Sequence, residues 1–309
     1  MTSVKEKNFV SIVIHLKENL ELLNPFITEL EGVFSQSFEN YEYIIVNNNP
    51  EHDLTNKIIS TKGSVNIINL SWKHNLEDAM RAGIDMSIGD FIFEFDNTEM
   101  DYNSQFIMEV YNKCLTGFDA VAATPKIKKG KSSKLFYNAL NKFSNNKVEL
   151  VTESFRVVSR RMLNRAAKSQ ETFRYRKVNY HYSGLNTAIL PYDIQGNKYK
   201  GKKEFRRFER YSLGSSILIY YSNIGTKISM FLSIFFFFLS IIVGAFAIFS
   251  YFYKIDSIQE GWTTTMLFLS LSFSGLFVIL TVISKYLEVL LKEVLRDLPY
   301  TYKSIDKIQ

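Results

Sequence analysis

Apolar and polar positions in the first hundred residues follow two periods. Residues 9–14, "FVSIVI", form a β-branched run that stops at His15 and predicts a strand. Residues 20–35 place Leu20, Leu23, Phe26, Ile27, Leu30 and Val33 at helical spacing. "YEYIIV" (41–46), stopped by the turn residues "NNNP", and "SVNIINL" (64–70) predict two more strands. "NLEDAMRAGIDMSI" puts Leu76, Ala79, Met80, Gly83, Ile84 and Ser87 on one helical face, and "DFIFEF" predicts a fourth strand ending at Asp96. Strands alternating with helices imply an α/β fold with a mostly parallel sheet. Ligands in such sheets sit beyond the carboxyl ends of the strands. Those ends are His15 to Glu18, Asn47 to Asn49, Ser71 to Lys73, and Asp96 to Asp101, four loops expected to converge on one crevice.

The second half is less regular. "DAVAATPKI" (119–127) predicts a fifth strand running into the basic loop "KIKKGKSSK", and "KLFYNALNKF" a helix. "SFRVVSRRMLNRAAK" predicts a strand passing into a helix, and "NTAILPYD" a late strand. Two stretches then lack any charged residue, Ile228 to Tyr253 and Gly261 to Ser284. Each exceeds the roughly 20 apolar residues a helix needs to cross a bilayer. The polar N-terminus "MTSVKEKNFV" does not have the pattern of a signal peptide.

Charge sharpens this picture. The formal net charge is +6, and the positive residues crowd beside the uncharged stretches: "KYKGKKEFRRFER" before the first, and Lys285, Lys292, Arg296, Lys303 and Lys307 after the second. The loop between them, "KIDSIQE", carries one Lys and two acids. Positive residues stay on the cytoplasmic side. The expected organisation is therefore a cytosolic domain over 1–203, an interfacial amphipathic helix over 204–224, transmembrane helices over 226–253 and 261–285, and a cytosolic tail over 286–309. Such basic residues beside a membrane point to anionic lipid more than to nucleic acid, and no nucleic-acid partner is expected. The amphipathic tail "YLEVLLKEVL" suits contact with the bilayer or a second copy, and a homo-oligomer is expected. A single cysteine, Cys114, excludes an intramolecular disulfide and a cysteine-based metal cluster. His15, His52, His74 and His181 show no metal-ligand spacing, although His74 precedes the helix bordering the crevice.

Several segments are similar to a known family. "AGIDMSIGDFIFEFD" (82–96), "SFRVVSRR" (154–161), "YKGKKEF" (199–205), "YYSNIGTKIS" and "KYLEVLLKEVLRDLPYTY" (285–302) resemble the family 2 glycosyltransferases that act on polyprenyl phosphate. That group includes the dolichyl-phosphate-mannose synthases and undecaprenyl-phosphate glycosyltransferases. The resemblance covers roughly residues 9 to 302. It implies the nucleotide-diphosphosugar fold called GT-A, a UDP- or GDP-linked sugar donor, a polyprenyl phosphate acceptor and a Mg²⁺ or Mn²⁺ cofactor. The setting it implies is the bacterial inner membrane, with the catalytic domain in the cytosol and a surface polysaccharide or glycan as the sugar's destination. The site residues it implies are Asp96 and Arg156 for catalysis, and Glu18, Asn47, Asn48, Asp96 and Thr98 for the donor. Lys126, Lys128, Arg156, Arg160, Lys202 and Lys203 would take the acceptor phosphate, and Asp96, Glu99 and Asp101 the metal.

The chain departs from the family pattern in that same crevice. Asn47 and Asn48 replace paired Asp, and "DNTEM" (96–100) stands where the family has Asp-x-Asp-x-Gln. Val151 replaces an Asp, while Lys203 and Glu204 replace Ser and Lys. A divalent cation bridging two phosphates wants oxygen ligands, usually one or two carboxylates. Asp96 supplies one, and Glu99 or Asp101 a second if the loop bends towards it. Two readings stay open: an inverting transferase, or a catalytically decayed relative acting as partner of an active paralogue.

Overall fold

The computed structural model describes residues 5–18, 20–52, 54, 57–126, 153–168, 175–195, 231–232, 234–236, 238–239, 242, 249, 261–294 and 300–308. Within it lies an eight-stranded sheet. The strands are β1 (Val10–Leu16), β2 (Tyr41–Asn47), β3 (Ser64–Leu70), β4 (Phe91–Phe95), β5 (Ala120–Pro125), β6 (Phe155–Ser159), β7 (Thr187–Tyr192) and β8 (Tyr302–Ile308), in the order β7-β5-β6-β4-β1-β2-β3-β8. β1 runs parallel to β2 and β4, β2 to β3, and β5 to β7, whereas β6 is antiparallel to β4 and β5, and β8 to β3. Every residue of β1 and β2 is buried, as expected of strands covered on both faces.

Two layers of helix cover the sheet, and strand alternation decides what each meets. On one face Ile12, Ile14, Tyr43, Ile45, Phe93, Phe95, Phe155 and Val157 pack against α1 (Leu20–Ser37) and α3 (Phe106–Leu115). On the other, Val13, Ile44, Val46, Ile92 and Val158 meet α2 (Leu76–Met86), α4 (Arg160–Lys168) and α5 (Arg176–Tyr182). Gly83 lets α2 lie close to the sheet, since a Cβ there would come within 2.7 Å of Val46 Cγ2. The same alternation that sends Phe93 and Phe95 to the first face sends Glu94 to the second.

Chain order runs β1, β2, β3 outward and then returns to β4 on the far side of β1. The strand order therefore reverses between β1 and β4, the place where such sheets bind ligands. Three features lie outside the periodicity argument: helices α3 and α5, and the strand β8. Within the expected tail over 286–309, residues 302–308 join the sheet at the β3 edge. The tail alternates apolar and polar side chains too weakly to announce a strand, and its exposed outer edge explains why.

The chain divides into two compact units, Met1–Gly130 with Val148–Arg206 and Leu298–Gln309, and Lys131–Lys147 with Arg207–Asp297. In the second, α6 (Gly261–Val294) is a continuous 34-residue helix that spans the expected segment 261–285. Its described surface exposes Leu269, Phe273, Leu276, Phe277, Leu280 and Leu287. A Cβ at Gly275 would overlap the ring of Phe236, so that glycine admits a close helix contact within this unit. Judged on the described residues, no helix is long and apolar enough to cross a membrane. Most of the expected segment 226–253, all of 204–224 and the helix "KLFYNALNKF" lie outside the described residues.

Candidate active site

The end of β4 carries a buried ion network. Asp96 follows Phe95 directly, and its side chain is 12% exposed. Arg156 Nη2 donates to Asp96 Oδ2 at 3.2 Å, and Arg176 Nη2 to Asp96 Oδ1 at 2.8 Å. One turn of the pleat below, Glu94 accepts from Arg156 Nη1 at 3.1 Å, from Arg176 Nη1 and from the Tyr180 hydroxyl. Glu77 of α2 accepts from the backbone N–H of Arg176 at 3.0 Å and from its Nε at 2.9 Å. Arg156 Nε lies 2.8 Å from Glu153 Oε2, an ion pair without hydrogen-bond alignment, and Lys177 Nζ lies 3.7 Å from the same oxygen.

This arrangement is built by register. Glu94 and Arg156 are directly paired across β4 and β6, so both side chains project to the α5 face. Helix α5 begins at Arg176, whose guanidinium reaches both Glu94 and Asp96. Charges buried this deeply are tolerated only when paired and hydrogen-bonded. Burial pushes the Asp96 carboxyl pKa up, but Arg176, Arg156 and Lys177 outweigh that and hold it well below the usual carboxylate range. Asp96 is therefore ionised at every physiological pH. Burial, reinforced by Glu94, pushes the Tyr180 phenol well above its ordinary value, so it stays a donor.

A second network ties the four loops together, as the sequence anticipates. Buried Asn48 donates from Nδ2 to His15 Nε2 at 3.0 Å and to the His74 carbonyl at 2.8 Å, and its Oδ1 accepts from the His74 N–H at 2.8 Å. His15 Nδ1 lies 3.2 Å from the Asp96 carbonyl. The neutral tautomer with hydrogen on Nδ1 satisfies both contacts, and burial lowers the His15 pKa to about 4, opposed by that carbonyl contact. Asn47 Nδ2 donates to the His52 carbonyl at 2.9 Å and to Asn69 Oδ1 at 2.8 Å. Asn69 in turn reaches Asp306 and Ser304 of β8.

The sequence-predicted residues divide clearly. Asp96, Asn47, Asn48, Glu18 and Thr98 do gather at the crevice end of the sheet. Asn47 and Asn48, however, spend their amides on neighbouring loops, and Thr98 is buried. Glu18 pairs with Lys73 at 3.5 Å on the rim. The metal set is not assembled: Asp101 accepts from the Tyr192 hydroxyl, Asp96 from two guanidiniums, and the Glu99 N–H caps Asn97 Oδ1 at 2.8 Å. Among the described residues no group of three His, Cys, Asp or Glu is placed to hold a metal.

The acceptor set needs two corrections. Arg160 donates from Nε to the Gly89 carbonyl at 2.9 Å and from Nη2 to Ser87 at 2.8 Å. β6 runs antiparallel to β4, so Arg160 lies level with Asp90 at the opposite end from Asp96, about 20 Å away at strand rise. Arg156 is 3% exposed and supports Asp96 instead of facing an incoming phosphate. Lys126 stands on the crevice rim, paired with Asp193 at 2.9 Å. Lys128, Lys202 and Lys203 lie outside the described residues. Sequence reasoning missed Arg176, Glu94, Glu77 and Tyr180. Glu94 had a signal, an acid inside an apolar strand facing a strand interrupted by Arg156; Arg176 had none.

Comparison with known proteins agrees with this architecture. The family described as "Glycosyl transferase family 2" matches residues 11–170. An uncharacterized glycosyltransferase of Synechocystis sp. is 23% identical over 228 residues, covering 71% of each chain. A prophage bactoprenol glucosyl transferase homolog of Escherichia coli K12 is 25% identical over 226 residues, 70% of this chain and 72% of the relative. In fold, the chain is similar to glucosyl-3-phosphoglycerate synthase of Mycobacterium tuberculosis solved with Mn²⁺, UDP-glucose and phosphoglyceric acid. That match has a TM-score of 0.51 and 11% identity, over 69% of this chain and 78% of that one. The α/β sheet with its strand reversal at β1 and β4 is the GT-A fold, and an acidic β4 terminus lies at that reversal. More than half of the chain matches the family, and on that ground the protein belongs to glycosyl transferase family 2 and is a glycosyltransferase.

Proposed function

We propose that the protein is a membrane-bound inverting glycosyltransferase that moves one sugar from a UDP- or GDP-linked donor to a polyprenyl phosphate such as undecaprenyl phosphate. The work would take place on the cytosolic face of a bacterial inner membrane. The observation that carries this reading is Asp96, an ionised, partly exposed carboxylate held by two arginines where the strand order reverses. The lipid acceptor is supported by the bactoprenol glucosyl transferases among the relatives, including that of Shigella phage SfV, 24% identical over 77% of this chain and 80% of the relative. Two uncharged stretches and the exposed Leu and Phe surface of α6 support a bilayer around the second unit.

The residues present fit a divalent cation through a single protein ligand. Each Asp96 oxygen accepts one arginine hydrogen bond, which leaves a lone pair on each, and Mg²⁺ or Mn²⁺ at nucleotide sites is commonly bound by one or two carboxylates plus phosphate oxygens. When bound, the ion neutralises charge on the departing nucleoside diphosphate. Arg156 and Arg176 fix the carboxylate's orientation, and Tyr180 holds Glu94 beneath them. The acceptor phosphate is an anion at neutral pH, so attack at the anomeric carbon needs no strong general base. Attack opposite the leaving diphosphate inverts that carbon. Lys126 on the rim, with Lys128, Lys202 and Lys203 from the sequence, offers positive charge to this acceptor.

A second reading, a family member whose donor site has closed, is favoured by the saturated amides of Asn47 and Asn48. The two separate in one experiment. Calorimetric titration of the full-length, detergent-purified protein with UDP and GDP, each with and without Mn²⁺, should give metal-dependent binding of at least one. Transfer of labelled sugar to undecaprenyl phosphate should then be lost in Asp96→Ala. Absence of nucleotide binding under every condition would favour the closed site, and full activity of Asp96→Ala would remove Asp96 from the chemistry.

A further inference from the structure

Trp72 stands on the same rim, directly after β3, and is 55% exposed. Its indole stacks on the His74 ring, with centroids 5.1 Å apart and planes inclined by 29°. His74 is in turn unusually well braced. Its backbone N–H and carbonyl are both held by Asn48 at 2.8 Å, and its Nε2 accepts from the Thr301 N–H at 3.4 Å. Ser71, on the other side of Trp72, donates its N–H to the Thr301 carbonyl at 3.0 Å. A large aromatic ring is thus fixed in place while much of its surface stays open to solvent, a combination that core packing does not require.

Its position relative to Asp96 supplies the second half of the argument. Along the order β4-β1-β2-β3, Trp72 and Asp96 terminate strands three spacings apart, about 14 Å. That span is comparable to an extended nucleoside diphosphate lying across the strand ends. The phosphates would sit at Asp96 and the base at Trp72. Asn47 and Asn48, expected from the sequence to contact the donor, have their amides engaged within the protein. With those amides engaged, the exposed indole of Trp72 offers an arriving base an aromatic surface. Stacking on an aromatic face holds any base, because every base has a π-face.

We propose that Trp72, propped on His74, is the stacking platform for the nucleobase of the sugar-nucleotide donor. This rests on the reading of the chain as a nucleotide-sugar-dependent transferase. It reassigns base recognition from the β2 end to the β3 end, and it gives Asn48 a positioning role, as the clamp on His74.

The protein has two tryptophans, Trp72 and Trp262. A full-length Trp262→Phe variant in detergent therefore reports on Trp72 alone. UDP and GDP, with Mn²⁺, would be titrated by calorimetry and by tryptophan emission, with inorganic pyrophosphate as the ligand without a base. Emission should be quenched by the nucleotide over the same concentration range as the heat. Trp72→Ala should weaken nucleotide binding by roughly 5- to 150-fold, with pyrophosphate binding unchanged and Trp72→Phe recovering most of the loss. Heat of nucleotide binding without an emission change, or full affinity in Trp72→Ala, would overturn the platform while leaving the transferase reading intact. A Trp72 blue shift on anionic phospholipid vesicles with no response to bound nucleotide would overturn it too, since the ring would then be a membrane contact. Absence of binding by either nucleotide would defeat the transferase reading first and the platform with it.

Discussion

Arg176 holds three carboxylates, one from α2 and two from the end of β4, so its replacement by methionine tests the ion network directly. The variant keeps much of the side chain's apolar length but removes the hydrogen bonds to Glu77, Glu94 and Asp96. Arg156 still covers one oxygen each of Glu94 and Asp96, and the backbone N–H of residue 176 can still reach Glu77. The loss is then closest to that of one partner from a buried ion pair, about 3–5 kcal/mol. Its pH dependence has a definite sign. In the native protein the Asp96 pKa is depressed, so its stabilising contribution is present above the unfolded value near 3.9 and lost only as pH falls through the lower folded value. Without Arg176 the largest opposing charge is gone, burial carries more weight, and the folded pKa rises. The variant's deficit should therefore be largest at pH 7 and smaller at pH 4.5. Urea unfolding of the full-length protein in detergent, followed by Trp72 emission in the Trp262→Phe background, measures both. A deficit under about 1 kcal/mol at pH 7, or one equal at both pH values, would refute the view that Arg176 balances buried carboxylates.

Two further outcomes follow from the loop clasp and the tail. His15 is held neutral with a pKa of about 4 against 6.5 unfolded, so the unfolded state binds the extra proton between those values. Stability should fall by about 3 kcal/mol as pH drops from 6.5 to 4 on this account, and His15→Gln should flatten that limb in a matched denaturation series; an unchanged slope would exclude His15 as its source. Truncation after residue 299 removes β8, exposes the β3 edge and strips Asn69 of Ser304 and Asp306. The melting temperature should fall with a loss of a few kcal/mol, and size-exclusion chromatography should show self-association through the open edge; a truncated protein with native stability and size would mean β8 is dispensable.

Apolar periodicity and turn residues determined most of the first half of the fold. β3 falls where "SVNIINL" stands, α2 within "NLEDAMRAGIDMSI", and Asp96 at the end of β4, because strand and helix periods are local properties of ten or so residues. The likeness of "SFRVVSRR" and "AGIDMSIGDFIFEFD" to the family was legible in the same way. Tertiary structure decided what those residues do. Arg156 and Arg160 are four positions apart in a segment whose sequence offers both to one phosphate. Pairing β6 antiparallel to β4 places the first against Asp96 and the second at the opposite end of the sheet. Arg176 and β8 reach their partners across 80 and more than 230 residues of chain, respectively, so no local pattern could announce either. Which carboxylates are free for a ligand, and which are already neutralised, depends on those long-range pairings, because buried charge is stabilised only by partners brought to it through the fold.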